Sequence, residues 1–383
     1  MKIMHVCKKY PNALGGDAVV VSNLEKQQKF NGHQVIILTS NCNEIKNGSN
    51  IYKFGLKDTA ASLDNITPRR IISLIMLYFK TFRVLKIERP DVIHTHSVDM
   101  AFFISFAARL YKIPIVHTFH IVTFYNENQP LVRRKTELFL VRGARAASIT
   151  APNAYDVIKL QEAGLKQSVL LPNGIDLSFW KKDPKVKKAV LFTFIIVGRL
   201  EKQKGIEYLI KAAAILREHC KTKFKILIVG EGSLKTQHES LAKSLNLEGC
   251  IKFLGKKDSF KVRKLYETSH AAVIPSLHEA MSLFLLEAWA MQLPVIATSV
   301  GNLKTTKESE IVISIPIQDE KALASAMLNL MTDKQLGLKT SINAYKEVSN
   351  LAWSTIASNV SEIYLKIVAV DLKNETSSIE HSI

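Results

Sequence analysis

The sequence predicts an α/β protein of two doubly wound domains facing a cleft, and three observations carry that prediction. Short Val/Ile-rich runs alternate with amphipathic stretches along most of the chain. Continuous apolar runs of that kind belong to parallel strands covered by helices on both faces. The alternation breaks once, at the turn-forming, lysine-rich PNGIDLSFWKKDPKVKK (Pro172–Lys188), and then restarts. A length of 383 residues suits two domains, each able to bury its own core.

In chain order, Lys2–Cys7 reads as a buried strand and Asp17–Phe30 as a helix stopped by Asn31-Gly32. Strands follow at His33–Thr39, Asp91–His94, Ile113–Phe119, Ala147–Ala151 and Ser168–Leu171. The periodic segments between them, Arg70–Lys86, Asp99–Tyr111, Pro130–Arg142 and Tyr155–Glu162, read as helices. After the break, strands are expected at Val190–Val197, Phe224–Val229, Ile251–Leu254, Ala271–Ile274 and Val295–Thr298. Helices fill the gaps at Ile206–His219, Ser233–Leu245, Phe260–Thr268 and Ser282–Met291. The domains are read as 1–178 and 188–353, with the polar, aperiodic 371–383 as a flexible tail.

Lys and Arg total 52 against 34 Asp and Glu, a formal net charge of +18. Such a surplus points to anionic partners: nucleic acid, an acidic membrane face or a phosphorylated substrate. Nucleic acid is not expected, because no aromatic-basic strand motif of the RNA-binding kind is visible. Cys7, Cys42, Cys220 and Cys250 are scattered, with neither a C-x-x-C pair nor histidines at zinc-finger spacing, so plain thiols in a reducing cytoplasm are expected. The amino terminus has no apolar signal region, and no apolar run approaches the ~18 residues needed to span a bilayer.

In doubly wound sheets ligands bind beyond the carboxyl ends of the strands, so the loops there carry the chemistry. GRLEKQKG (Gly198–Gly205) places Arg199 and Lys204 beside a helix amino terminus, where free N–H groups and the dipole favour an anion. That loop is either a diphosphate clamp or a solvated basic loop. Further on, Glu279 falls in a loop and Glu287 eight positions later inside the next helix. They read either as acceptors for sugar or ribose hydroxyls or as ordinary helix charges. Gly15-Gly16 precedes a helix without forming G-x-G-x-x-G, and Gly230-Glu231-Gly232 reads as an ordinary strand-to-helix turn. His94 and His96 share one strand face, and His117 and His120 close the next strand; no carboxylate or cysteine completes a metal set, so no metal site is expected.

GRLEKQKG, LIVGEG (Leu227–Gly232), FLG (Phe253–Gly255), PS-x-x-E-x7-E-A and PVIAT occur in that order, preceded by the GG loop, NGHQV, PDVIHTH, PIVHTFH and LPNGID. This ordered set resembles the retaining glycosyltransferases of the GT-B fold, group 1 or family 4, over roughly residues 1–370. The resemblance implies two Rossmann-like domains, the first binding an acceptor and completed by a C-terminal helix over about 354–370, the second binding a nucleotide sugar. It implies that Arg199 and Lys204 neutralise the donor's diphosphate, helped by the start of the helix at Ser282 and Leu283, and that Glu287 binds the ribose. Glu279 would sit beside the transferred sugar, Gly16 would approach a substrate through its backbone, and His120 would line the reaction centre. The implied reaction moves a hexose or N-acetylhexosamine from a UDP- or GDP-sugar to a glycan or lipid-linked acceptor, without a metal. The leaving diphosphate would take the acceptor's proton on the face it departs from, and Arg/Lys charges and N–H dipoles stabilise it.

The chain departs from the family pattern where E-G-F-G becomes Glu279-Ala280-Met281-Ser282, where E-A-M-A-x-G becomes Glu287-Ala288-Trp289-Ala290-Met291-Gln292, and where Asn302 rather than a second glycine follows Gly301. Arg69–Arg89 joins six cations to IISLIMLYF, and Arg133-Arg134-Lys135 adds more. The segment reads either as a helix resting on an anionic cytoplasmic membrane face or as a core helix with snorkelling cations. A sugar-nucleotide epimerase of the same fold, or a non-catalytic binding protein on a decayed transferase fold, remain alternative readings.

Overall fold

The computed structural model describes residues 1–10, 16–41, 50–55, 68–127, 129–219, 222–304 and 310–380. The chain divides into two compact units, Met1–Asn173 with Trp353–Ile383, and Gly174–Ala352. In the first unit the order is β1 (Lys2–Lys9), α1 (Gly16–Phe30), β2 (Gln34–Asn41), β3 (Ile51–Lys53), α2 (Pro68–Glu88), β4 (Val92–Thr95), α3 (Val98–Leu110), β5 (Ile115–Thr118), α4 (Leu131–Ala144), β6 (Ser148–Ala151), α5 (Ala154–Glu162) and β7 (Ser168–Leu170). Its parallel sheet runs β3-β2-β1-β4-β5-β6-β7. Every residue of β4, β5 and β6 is buried, as strands covered on both faces require.

The second unit contains β8 (Phe192–Val197), α6 (Ile206–His219), β9 (Phe224–Val229), α7 (Lys235–Ser244), β10 (Ile251–Gly255), α8 (Ser259–Thr268), β11 (Ala271–Ile274), α9 (Leu283–Ala290), β12 (Val295–Thr298), β13 (Ile313–Ile315), α10 (Glu320–Thr332) and α11 (Lys334–Ser349). Its parallel sheet runs β10-β9-β8-β11-β12-β13. The chain then enters α12 (Trp353–Glu380), which belongs to the first unit and packs on α1. Strand order reverses between β1 and β4 in one sheet and between β8 and β11 in the other, and a ligand crevice opens at such a switch point.

The units differ from the sequence reading at three places. The first crossing falls between Asn173 and Gly174, not within 178–188, because Ile175 and Trp180 are buried in the second core. The Ile175 N–H also donates to the Leu351 carbonyl at 2.8 Å, which ties this stretch to the end of the second unit. The stretch 371–380 is the end of α12 rather than a tail, since no glycine or proline interrupts the chain from Trp353 onward. The short strands β3 and β13, three residues each, lack a readable period.

Gln292 ends the turn after α9 with φ +55°. Its N–H donates to the Trp289 carbonyl, and that of Leu293 to Ala288, the paired bonds of a left-handed helix stop. This geometry explains why the resembled family has glycine there, and it leaves Gln292 strained. Gln292→Gly is therefore expected to stabilise the fold by about 0.5–1 kcal/mol, the relieved strain less the freedom glycine adds to the unfolded chain. Chemical unfolding midpoints of the two proteins check this.

Candidate active site

Three loops meet at the carboxyl ends of β8, β11 and β12. After β8 the chain passes Gly198 and the exposed Arg199, makes a 3-10 turn over Lys202–Lys204, and enters α6 through Gly205 at φ +63°. A Cβ at Gly205 would lie 2.0 Å from the Pro275 carbonyl oxygen, so only glycine lets the loop after β11 come this near. The Gln203 side-chain amide donates to the His278 carbonyl and the Leu277 N–H to the Gln203 carbonyl, each at 2.8 Å. From the other side Thr298 Oγ1 donates to the Ser276 carbonyl at 2.6 Å, and a Cβ at Gly301 would fall 2.1 Å from the Glu279 carbonyl oxygen. Gly230-Glu231-Gly232 does more than turn the chain: a Cβ at Gly230 would lie 1.8 Å from the Gly198 carbonyl oxygen, and one at Gly232 2.4 Å from that of Leu200.

These loops bring Lys204 and Glu279 together as an ion pair, with Ser276 Oγ donating to the same Glu279 oxygen at 2.9 Å. Ser282 is buried and starts α9 without a side-chain cap, and Leu283 is that helix's first residue. An α-helix leaves its first N–H groups without partners inside the helix, so this end suits an anion. Glu287 lies one turn further along α9 and accepts a hydrogen bond at 2.8 Å from Tyr266, a buried α8 residue whose ring stacks on Phe284. Desolvation pushes the Glu287 carboxyl up to about 7, against the pull of that hydrogen bond. A ligand hydroxyl donating to it would favour the ionised form.

In the first unit Gly16 is the exposed first residue of α1; Gly15 lies outside the described residues. His120 follows β5, and its Nε2 lies 3.2 Å from His96 Nδ1. His96 Nε2 lies 2.9 Å from His5 Nδ1, and His5 Nε2 lies 2.8 Å from the Gln28 side-chain oxygen. His94 is held between Tyr364 Oη at 2.5 Å and Thr118 Oγ1 at 2.6 Å. Burial holds His5 down to about 4 and His117 to about 3, and depresses His94, His96 and His120 as well; the Asp17 carboxylate opposes the shift at His120. Nitrogens of His5, His94 and His96 come within 4.8 Å of one another. All six of these nitrogens have hydrogen-bond partners, and the rings lie 26–37° from parallel, so the three imidazoles are joined in one buried hydrogen-bonded and stacked cluster.

The structure thus joins Lys204 to Glu279 and His96 to His120, and places Glu287 on a separate partner, Tyr266. Sequence reasoning missed Ser276, Thr298, Tyr266, Gln28 and Tyr364. Ser276 carried a signal, as the serine of PS-x-x-E; the others fit their helices and strands as ordinary residues.

Residues 178–347 match the family described as Glycosyl transferases group 1, and residues 14–179 the one described as Glycosyltransferase Family 4. Side by side these matches span most of both units, and the chain is a glycosyltransferase of the GT-B type. It belongs to the group 1 family. It is 25% identical over 393 residues to an uncharacterised glycosyltransferase of Methanocaldococcus jannaschii, covering 95% of this chain and 98% of that one. It is 28% identical over 316 residues to the Escherichia coli UDP-Gal:alpha-D-GlcNAc-diphosphoundecaprenol alpha-1,3-galactosyltransferase, covering 77% and 79%. Its fold is similar to that of sucrose-phosphate synthase from Thermosynechococcus elongatus, with a TM-score of 0.83 and 22% identity over 96% of this chain and 99% of that one.

The buried imidazoles make the fold acid-sensitive. Above pH 6.5 they are neutral folded or unfolded; below it the unfolded chain takes up protons that the folded one refuses. Stability is expected to fall between pH 6.5 and about 4, the His5 value, by about 1.4 kcal/mol per pH unit for each such histidine. Unfolding midpoints at pH 7.5 and 5.5 that coincide would contradict this.

Proposed function

We propose that the chain transfers a hexose or N-acetylhexosamine from a UDP- or GDP-sugar to a glycan or lipid-linked acceptor, retaining the anomeric configuration and using no metal ion. The observation that carries the reading is the Lys204–Glu279 ion pair beside the start of α9. An arriving diphosphate takes over Lys204 as counter-ion, with Arg199 and the helix N–H groups as further donors. Glu279, released from the lysine, is then a free carboxylate beside the sugar being moved. Glu287, poised near neutrality, accepts from the ribose hydroxyls. Expelling a nucleoside diphosphate develops negative charge, and fixed cations and dipoles meet it without rearrangement. The Escherichia coli relative, named for a UDP-Gal donor and a lipid diphosphate acceptor, supports both substrate classes.

The setting proposed is the cytoplasm, at the inner face of the membrane. Cys250 is a free thiol, in keeping with a reducing compartment. Among the described residues no helix is long and apolar enough to cross a bilayer. On α2, however, Ile71, Ile72, Ile75, Met76 and Phe79 are exposed, and Arg83 and Lys86 on the same helix are exposed too. Tyr78 and Phe106 link α2 to α3, and Phe102 and Phe139 link α3 to α4, where Leu131, Val132 and Phe139 are also exposed. Apolar side chains rimmed by cations suit the headgroup region of an anionic leaflet.

Two experiments test the reading. Calorimetric titration with UDP, GDP and their sugar conjugates, EDTA present, is expected to show one nucleotide binding. Lys204→Ala and Glu287→Ala should weaken it by about 10–100-fold, the worth of a charged hydrogen bond, while Glu279→Ala chiefly lowers kcat. Wild-type kinetics in all three variants would refute the site. For the membrane, sedimentation with anionic vesicles should show binding at low salt that is lost as salt is raised; failure to bind at low salt removes it.

A further inference from the structure

His5, His94, His96 and His117 are buried in the first unit, and two of them, His5 and His96, form a file that ends on His120. Gln28 stands at the inner end, on α1, with its side-chain oxygen toward His5 and its amide nitrogen toward Tyr364 Oη at 3.4 Å. A neutral imidazole has one N–H and one bare nitrogen, so its partner on one side dictates what it offers on the other. With the Gln28 carbonyl accepting, His5 must carry its proton on Nε2 and leave Nδ1 bare. His96 then donates from Nε2 to His5 and leaves its own Nδ1 bare, 3.2 Å from His120 Nε2. His120 therefore carries its proton on Nε2, and its Nδ1 is a hydrogen-bond acceptor.

We propose that Gln28 is a positioning residue that acts through His5 and His96 to hold His120 in the Nε2–H tautomer, so that His120 presents an acceptor to a sugar hydroxyl. The point about the hydroxyl rests on the glycosyltransfer reading above; the tautomer does not. Two further observations support it. Burial keeps His5 and His96 neutral, and a cationic imidazole anywhere in the file would donate at both ends and erase the direction. The amide is also oriented from its far side: Tyr364 can give its own proton to His94 Nδ1 at 2.5 Å and accept from Gln28, which leaves the Gln28 carbonyl facing His5. His94 donates its Nε2–H to Thr118, on a branch that shares no direct hydrogen bond with His5, His96 or His120 and meets the file through Tyr364, Gln28 and the stacking of its ring on His96.

The test is long-range 1H–15N NMR on the full chain with 15N-labelled histidine at pH 7.5, the His120 signal assigned by its loss in His120→Asn. The wild-type protein is expected to show protonated Nε2 and bare Nδ1 at His120. Gln28→Met, which removes the amide at similar volume, should turn that signal into a tautomer mixture. Thr118→Val, which strips a partner from His94 but keeps the Gln28 amide, should change it less than Gln28→Met does. Glycosyl transfer by Gln28→Met should show kcat reduced about five- to tenfold, one hydrogen bond's worth, with little change in donor KM. An Nδ1–H tautomer at wild-type His120, a His120 signal indifferent to Gln28→Met, or an equal change in Thr118→Val overturns the proposal. A Gln28-dependent tautomer in a chain that transfers no sugar from any donor supports the relay and refutes the assigned function.

Discussion

Backbone contact between loops is the constraint on which the candidate site of the second unit rests. The loop from Pro275 to Ser282 is gripped by Gly205 on one side and Gly301 on the other, at separations that leave no room for a single Cβ. Those contacts set where Ser276 and Glu279 stand, and through them where Lys204 points. A side chain held by its neighbours' side chains can drift by a rotamer. One held by main chain against main chain cannot, and preorganised charge depends on that difference. The same economy recurs where Gly230 and Gly232 let the start of the cation-bearing loop lie directly on the end of β9 and the turn that follows.

The first unit solves a different problem. Its central strands are buried on both faces, yet β1, β4 and β5 carry the buried histidines His5, His94 and His117 among their aliphatic residues. Buried polar groups are tolerable when they satisfy one another, and a partly satisfied set is costly. Here Gln28, Tyr364, Thr118 and Thr150 close most of the network, with Thr118 and Thr150 hydroxyls 2.6 Å apart. His117 Nε2 is the exception, buried without a hydrogen-bond partner among the described residues.

Much of this was legible in the sequence, for physical reasons. Parallel strands covered on both faces must be apolar end to end, so VIHT, IVHT, AAVI and VIAT stood out. The placement of Arg199, Lys204, Glu279 and Glu287 in loops after such strands, or on the helix a loop leads into, was readable from the alternation of apolar runs and periodic segments. Pairings were not readable. Nothing local ties Tyr266 to Glu287, and Gln28 and Tyr364 are 336 positions apart. The place of Gly174 was hidden because Ile175 and Trp180 choose their core by packing, which a turn-rich segment does not announce. The left-handed Gln292 was visible only as a departure from glycine.

The two units also differ in how the chain is threaded. The second is one uninterrupted stretch, Gly174–Ala352, whereas the first lacks a helix until Trp353 and the residues after it are made. Domains usually finish in the order in which the ribosome releases them. For this chain the order is inverted: the second unit has its whole sequence available while the first still waits for the phenol of Tyr364 to meet His94. A polar network at the heart of the first-synthesised unit is thus sealed last, so a transcript cut short of α12 yields a finished second unit joined to an unsealed first one.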